Sequence, residues 1–257
     1  MRVIAFVNLK GGVAKTTTVA NAAAILTKIH HKDVLCVDAD SQCNLTEFFG
    51  PAPNRSTTLA DALRTAPDAG HTVLDAIYST KYADVIPADD SLMGLDLTRA
   101  SSLYTDCLLD FKKLLKVERQ EYDFILIDCP PAFNAASTAA LLAADEVIIP
   151  IKLDAFSLRG MANLTRQIAN MRQINPGLRL SGLLPTMWYS NPQIRVAEAE
   201  LRKSGLPVYS HIRRTPKVDE MTFAGEPLID SSPTCAAAKD YRRFVDELLQ
   251  KGGEQNG

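Results

Sequence analysis

Residues 8–18 read Asn-Leu-Lys-Gly-Gly-Val-Ala-Lys-Thr-Thr-Thr, directly after an apolar run at residues 3–7. A glycine-rich turn between a buried strand and a helix directs backbone N–H groups inward, where they bind phosphate together with the helix dipole. Lys15 can reach the β- and γ-phosphates, and the Thr16 hydroxyl can ligate Mg²⁺. The segment therefore predicts a nucleotide-phosphate site formed by Gly11, Gly12, Val13, Ala14, Lys15, Thr16 and Thr17.

Apolar runs alternate with helical patterns along the chain. Strands are predicted at residues 3–7, 34–37, 85–86, 124–127, 147–149 and 180–184, with a weaker candidate at 207–209. Helices are predicted at 15–29, 159–174, 192–204 and 236–250. Continuous Val, Ile and Leu runs suit strands buried on both faces of a parallel sheet. We expect a doubly wound α/β fold with a mostly parallel sheet flanked by helices, in one domain over residues 1–250, and a disordered tail at 251–257.

Composition excludes several classes of protein. Hydrophobic residues make up 46% of the 257 residues, charged residues 23%, and the formal net charge is −2, all ordinary for a globular domain. The five cysteines are scattered without a C-x-x-C pair, which argues against a disulfide framework and a structural zinc site. With no signal peptide and no apolar window long enough to span a bilayer, we expect a cytoplasmic protein with no membrane contact.

Two further segments place carboxylates at the ends of predicted strands. Residues 34–44 read Val-Leu-Cys-Val-Asp-Ala-Asp-Ser-Gln-Cys-Asn, so Asp38 and Asp40 follow a buried strand with i, i+2 spacing. Residues 122–131 read Tyr-Asp-Phe-Ile-Leu-Ile-Asp-Cys-Pro-Pro and bring Asp128 to the tip of another strand. Ligands of doubly wound sheets bind at these carboxyl ends. For the first segment, an Asp-Ser turn that caps the next helix is the alternative interpretation.

Positive charge is concentrated in one part of the chain. Residues 159–217 contain ten Lys or Arg and two acids, a local net charge of +8. Contacts from such residues to phosphates would give salt-dependent DNA binding without sequence preference. The candidates are Arg159, Arg166, Arg195, Arg202, Lys203, Arg213 and Arg214. The alternative is that these residues are simply the solvated faces of exposed helices.

The order Lys-Gly-Gly-x-x-Lys-Thr at residues 10–16 resembles the deviant Walker A motif of the ParA/MinD family of P-loop ATPases. The resemblance implies ATP and Mg²⁺ as cofactors, and a Lys10 that crosses a dimer interface to the nucleotide of the other subunit. It implies that Thr16, Asp38 and Asp128 lie at the metal, and that Lys10, Lys15 and Asp40 are catalytic, with Asp40 orienting the attacking water.

Two positions depart from the family pattern. Ala14 stands where many members have glycine; because alanine disfavours positive φ, we expect an ordinary helical dihedral there. At residues 212–216, Ile-Arg-Arg-Thr-Pro, Arg213 replaces a common proline. The resemblance implies adenine contact by Thr215 and Pro216.

The resemblance spans most of the chain and is closest to partition ATPases of the ParA type. It implies an ATP-dependent homodimer that binds double-stranded DNA non-specifically on the nucleoid, and a ParB-like centromere-binding partner that stimulates hydrolysis. The alternatives are a MinD-like membrane regulator, a positioning ATPase for a microcompartment or another cargo, a metabolic P-loop ligase and a nitrogenase-type iron protein. A stripe at Tyr241, Phe244, Val245, Leu248 and Leu249 is interpreted as core packing rather than a membrane-binding face.

Overall fold

The computed structural model describes residues 1–50, 57–64, 73–98 and 122–253. Its centre is a seven-stranded sheet with strand order β3-β4-β2-β5-β1-β6-β7. The strands are β1 Arg2–Phe6, β2 Val34–Asp38, β3 Tyr78–Ser79, β4 Asp84–Ile86, β5 Phe124–Asp128, β6 Glu146–Lys152 and β7 Arg179–Thr186. All neighbouring strands are parallel except β3 and β4. The predicted fold class is therefore confirmed.

Helices cover both faces of this sheet. They are α1 Lys15–Lys28, α2 Asn44–Phe49, α3 Leu59–Arg64, α4 Ala135–Ala143, α5 Ala155–Met171, α6 Pro192–Lys203, α7 Lys217–Ala224, α8 Leu228–Ser231 and α9 Ala236–Gly253, with 3₁₀ helices at Val73–Ala76 and Asp90–Thr98. The side chain of Asn191 caps α6 by accepting a hydrogen bond from the Gln193 N–H, and Pro192 fills the first helical position. No described helix is both long and apolar enough to cross a bilayer.

The core has two halves, one on each face of the sheet. Along β1, Val3 and Ala5 pack on the face covered by α4, whereas Ile4 and Phe6 pack on the face covered by α1 and α9. This is why the strands read as continuous apolar runs. The α9 stripe is confirmed as core, since Tyr241, Phe244, Val245 and Leu248 are buried and Leu249 packs against them.

The predicted elements differ from the observed ones mainly at their ends. Residues 207–209 form only an isolated bridge between Val208 and Leu183, not a strand. Helix α9 continues to Gly253, three residues beyond the predicted end, and so includes the first three residues of the predicted tail. The rest of the predicted tail, 254–257, lies outside the described residues.

Candidate nucleotide site

The glycine-rich loop is anchored to the sheet at its first residue. The Asn8 side-chain amide donates to the Pro150 carbonyl on β6 (2.7 Å), and its Oδ1 accepts from the Lys10 N–H (2.9 Å). The loop then enters α1 at Lys15, as the sequence predicts. Residues 11–17 line a cavity of about 710 Å³, the loop cavity, together with Asp40, Gln42 and Asp219.

Lys15 lies inside its own loop. Its Nζ donates to the Asn8 carbonyl (3.2 Å) and to the Lys10 carbonyl (3.4 Å). Burial lowers the pKa of this ammonium, while the charges of Asp128 and Asp40 act in the opposite direction. A partly desolvated cation held within a glycine-rich loop before a helix suits a bound phosphate.

The expectation for Ala14 is wrong. Its dihedrals are φ 65° and ψ 35°, in the left-handed region, immediately before α1. The turn that brings the loop back onto the helix places Ala14 in the left-handed region. Gly12, two positions earlier, is in the same region with φ 68°. Alanine adopts this conformation at a cost of about 1 to 2 kcal/mol.

The aspartates of β2 and β5 are neighbours because of strand register. Asp38 pairs with Asp128 across the two strands, so both carboxylates reach the same edge of the sheet. Asp38 Oδ2 accepts from the Thr46 N–H (2.9 Å) and hydroxyl (2.8 Å), and its Oδ1 accepts from the Asp40 N–H (3.1 Å). Asp128 Oδ2 accepts from the Thr16 hydroxyl at 2.6 Å.

Burial is the main reason why the pKa values of Asp38 and Asp128 are raised. It raises the pKa of Asp38 to about 6, against the hydrogen bonds from Thr46. It raises the pKa of Asp128 to about 8, and the charge of Asp38 adds to this shift. The charged forms of two neighbouring buried carboxylates are unfavourable, and a bound divalent cation would stabilise them.

The donor set fits Mg²⁺. Asp128 Oδ1 is buried and has no hydrogen-bond partner among the described residues, and the Thr16 hydroxyl is adjacent. The described residues contain no cluster of three or more His, Cys, Asp or Glu that would form a complete metal cage. Mg²⁺ commonly binds one or two protein ligands and completes its shell with phosphate oxygens and water. Asp38 would then act mainly by charge, because its oxygens are already hydrogen-bonded.

Asp40 faces the loop cavity. Its Oδ1 accepts from the Gln42 N–H at 3.0 Å, which fixes the carboxylate beside the glycine loop. Its Oδ2 has no partner among the described residues, and the residue is 8% exposed. A fixed carboxylate with one unused oxygen can orient a water molecule, as the sequence interpretation requires.

A second cavity of about 360 Å³, the adjoining cavity, is open beside the first. Thr215 and Pro216 line it, as do Arg213 and Arg214. The Arg213 guanidinium is fixed by Asp240, with Nε to Oδ2 at 2.7 Å and Nη2 to Oδ1 at 2.8 Å. A base in this cavity would lie between Thr215 and the end of β7, so adenine contact by Thr215 and Pro216 remains a prediction that the geometry supports.

Lys10 is directed away from its own loop. Its Nζ contacts Asp154 Oδ2 at 2.7 Å, just after the end of β6, and the Lys10 side chain is 38% exposed. Lys10 and Lys15, five residues apart, therefore act in different places. The Lys15 ammonium lies within the loop, whereas the partly exposed Lys10 ammonium is paired with Asp154.

The candidate DNA-binding residues are dispersed over several elements. Arg166 on α5 and Arg195 on α6 are exposed, and among the described residues they hydrogen-bond only neutral side chains, those of Asn163 and Ser190. Arg202 contacts Glu198 at 2.8 Å and Lys203 contacts Glu200 at 3.0 Å. Arg214 is exposed, and the side chain of Arg159 lies outside the described residues. Contact of any of these residues with DNA stays a prediction.

Three useful residues were missed by sequence reasoning. Asp154 holds Lys10, Thr46 fixes Asp38, and Asp219 lines both cavities. Asp154 carried a detectable signal, since it is an acid just after an apolar strand, as Asp38 and Asp128 are. Thr46 and Asp219 carried none, because only the fold brings them to the site.

A protein built this way belongs to the class of P-loop nucleotide-binding proteins. The family model described as "AAA domain" matches residues 1–180. The chromosome partitioning protein ParA of Caulobacter vibrioides (strain NA1000 / CB15N) is 33% identical over 98% of this chain and 95% of its own. The sporulation initiation inhibitor protein Soj of Bacillus subtilis (strain 168) is 33% identical over 98% of this chain and 99% of its own.

A solved structure extends these similarities to three dimensions. The structure described as cobyrinic acid a,c-diamide synthase from Mycobacterium smegmatis, with bound ATP analog and magnesium, is 30% identical with a TM-score of 0.83. The match covers 99% of this chain and 97% of that one. The chain belongs to the ParA/MinD family of P-loop ATPases.

Proposed function

We propose that this chain is an ATP-dependent DNA partition protein, active as a dimer that encloses two ATP·Mg²⁺ and binds DNA without sequence preference. The full-length similarity to chromosome partitioning proteins supports this proposal. So does the direction of Lys10, which is the observation that carries it.

The nucleotide would bind in one subunit through residues 11–17. Lys15 neutralises the β- and γ-phosphates, and Thr16 and Asp128 bind Mg²⁺ with Asp38 close by. Asp40 orients the attacking water. Hydrolysis of this kind needs alignment and charge stabilisation more than a strong base, so a subunit without its partner would turn over slowly.

The dimer would complete each site with a lysine from the opposite subunit. The Lys10 side chain is partly exposed and paired with Asp154, and Lys10 is not among the residues that line its own loop cavity. A γ-phosphate presented by a second subunit would compete with Asp154 for the Lys10 ammonium. ATP would thereby link the two chains, and hydrolysis would separate them.

The dimer would bind DNA through the arginines that have no acidic partner. Arg166, Arg195 and Arg214 are exposed and form no ion pair within the described residues. Two subunits double the number of phosphate contacts, so weak binding by the monomer becomes strong binding by the dimer. A ParB-like centromere-binding protein would stimulate hydrolysis and release the subunits. The ATP-bound dimer would lie in the cytoplasm, on the nucleoid.

The test is retention of the purified protein on double-stranded DNA of mixed sequence, with ATP, ADP or no nucleotide, across a salt series. We expect retention with ATP and Mg²⁺ only, falling steeply as salt rises because counterions are released on binding. Equal retention without nucleotide, or retention by anionic vesicles instead of DNA, would contradict the proposal.

A charge-reversal pair locates the DNA surface. Arg166→Glu with Arg195→Glu, two exposed arginines without an acidic partner among the described residues, should weaken retention at least tenfold at moderate salt and leave ATP-dependent dimers intact. Lys239→Glu with Arg242→Glu is the matched control, because it makes the same charge change at two exposed positions on α9. Equal losses in the two pairs would show that only total charge matters.

A further inference from the structure

The two cavities of the nucleotide site meet at a small set of residues. Five residues line both cavities: Ala14, Thr17, Met187, Val218 and Asp219. A nucleotide with its phosphates on residues 11–17 and its base beside Thr215 must place its sugar at this junction. Asp219 is the only charged residue of the five.

Asp219 is available for a ligand. It is exposed in the first turn of α7, and the described residues supply no hydrogen bond or ion pair to its carboxylate. The neighbouring acid, Glu220, contacts Lys217 at 2.5 Å and lines neither cavity. The same turn thus contains one acid with a protein partner and one that faces the nucleotide site.

The chemistry of the junction selects for a sugar diol. An ionised carboxylate only accepts hydrogen bonds, and its two oxygens match the two O–H donors of a ribose 2′,3′-diol. It repels phosphate, so it does not favour a shifted pose with the α-phosphate at this position. The other shared residues offer one hydroxyl, that of Thr17, and otherwise apolar or backbone atoms.

We propose that Asp219 accepts hydrogen bonds from the ribose 2′- and 3′-hydroxyls and makes the site selective for ribonucleotides over deoxyribonucleotides. This inference rests on the proposed nucleotide function and adds a residue that determines the sugar. Hydrogen bonds to a charged group are strong enough that losing one weakens binding about tenfold.

The experiment is calorimetric binding of ADP, 2′-deoxy-ADP, 3′-deoxy-ADP and IDP in the presence of Mg²⁺. Diphosphates are used because they cannot be hydrolysed during the titration. We expect the wild type to bind ADP about tenfold more tightly than either deoxy analogue. Asp219→Ala should remove this preference, and Asp219→Asn should keep part of it because the amide oxygen still accepts. Glu220→Gln removes the same charge from the same turn and should leave the preference unchanged.

Three results would overturn the inference. The wild type could bind ADP and both deoxy analogues equally, or Asp219→Ala could keep the full preference. Asp219→Ala could instead change the ratio between ADP and IDP alone, which would assign Asp219 to the base. The proposed function fails in a different way: no diphosphate would bind, or Lys15→Ala would leave binding intact.

Discussion

Ala14 shows how a single dihedral limits what can be inferred from sequence. Its side chain is tolerated almost anywhere, but the loop places its backbone at φ 65°. The loop motif itself was predictable, because Gly11, Gly12, Lys15 and Thr16 are each required by phosphate binding. The handedness of the residue before α1 was not, because it follows from how the loop closes onto the helix.

Ala14→Gly should stabilise the protein by about 0.5 to 1 kcal/mol. Relief of the left-handed conformation contributes about 1 to 2 kcal/mol, offset in part by the greater freedom of glycine in the unfolded chain. The measurement is urea unfolding of the nucleotide-free protein. Ala24→Gly, in the interior of α1, is the control and should destabilise by about 1 kcal/mol or more. A loss of stability in Ala14→Gly would contradict the argument.

At the scale of elements, an ion-pair cluster links strands β1, β6 and β7 at the amino-terminal edge of the sheet, the edge opposite the nucleotide site. Glu146 at the start of β6 is 1% exposed and accepts from Arg2 on β1 (2.6 Å) and from Arg179 on β7 (2.8 Å). Arg2 also donates to the Leu248 carbonyl of α9. Burial alone would raise the pKa of Glu146, but hydrogen bonds from Arg2, Ser181 and Arg179 outweigh it and lower the pKa to about 2.

This cluster predicts a pH-dependent stability. The folded pKa lies below the ordinary value, so the contribution is fully present above about pH 4.5 and is lost as pH falls toward 2. Glu146→Gln should lower the free energy of unfolding by roughly 2 to 3 kcal/mol at pH 7. The difference in the free energy of unfolding between wild type and Glu146→Gln should be about 2 kcal/mol smaller at pH 3 than at pH 7. Urea unfolding at both pH values measures this difference, and Glu220→Gln, at an exposed position, is the control. A difference that stays constant between pH 7 and pH 3 would contradict the lowered pKa of Glu146.

Ion pairs between distant parts of the chain explain why the charge count overstated the basic surface. Arg179 and Arg213 belong to the +8 stretch, yet they are held by Glu146 and Asp240, acids outside it. A count along the chain cannot include partners brought in by the fold. The strands and long helices were predictable to within a few residues because their periodicities are local, whereas the ion pairs and the Asp154 contact of Lys10 are long-range.

At the scale of the whole molecule, the proposed dimer depends on what Lys10 does when ATP is bound. The site in one chain contains the loop, the carboxylates and room for a base. Its signature lysine, however, is bound to Asp154 on the outside. The proposed second subunit would give Lys10 a phosphate and would make the assembly sensitive to hydrolysis.

The most direct measurement is the mass in solution of Asp40→Ala and of Asp40→Ala with Lys10→Ala, by light scattering with ATP and Mg²⁺. Loss of the water-positioning carboxylate should keep ATP intact, so Asp40→Ala is expected at twice the monomer mass. The double variant should stay monomeric while still binding ATP through Lys15, as calorimetry would show. A dimer of the double variant at the same ATP concentration would contradict the proposed crossing of Lys10 to the nucleotide of the other subunit.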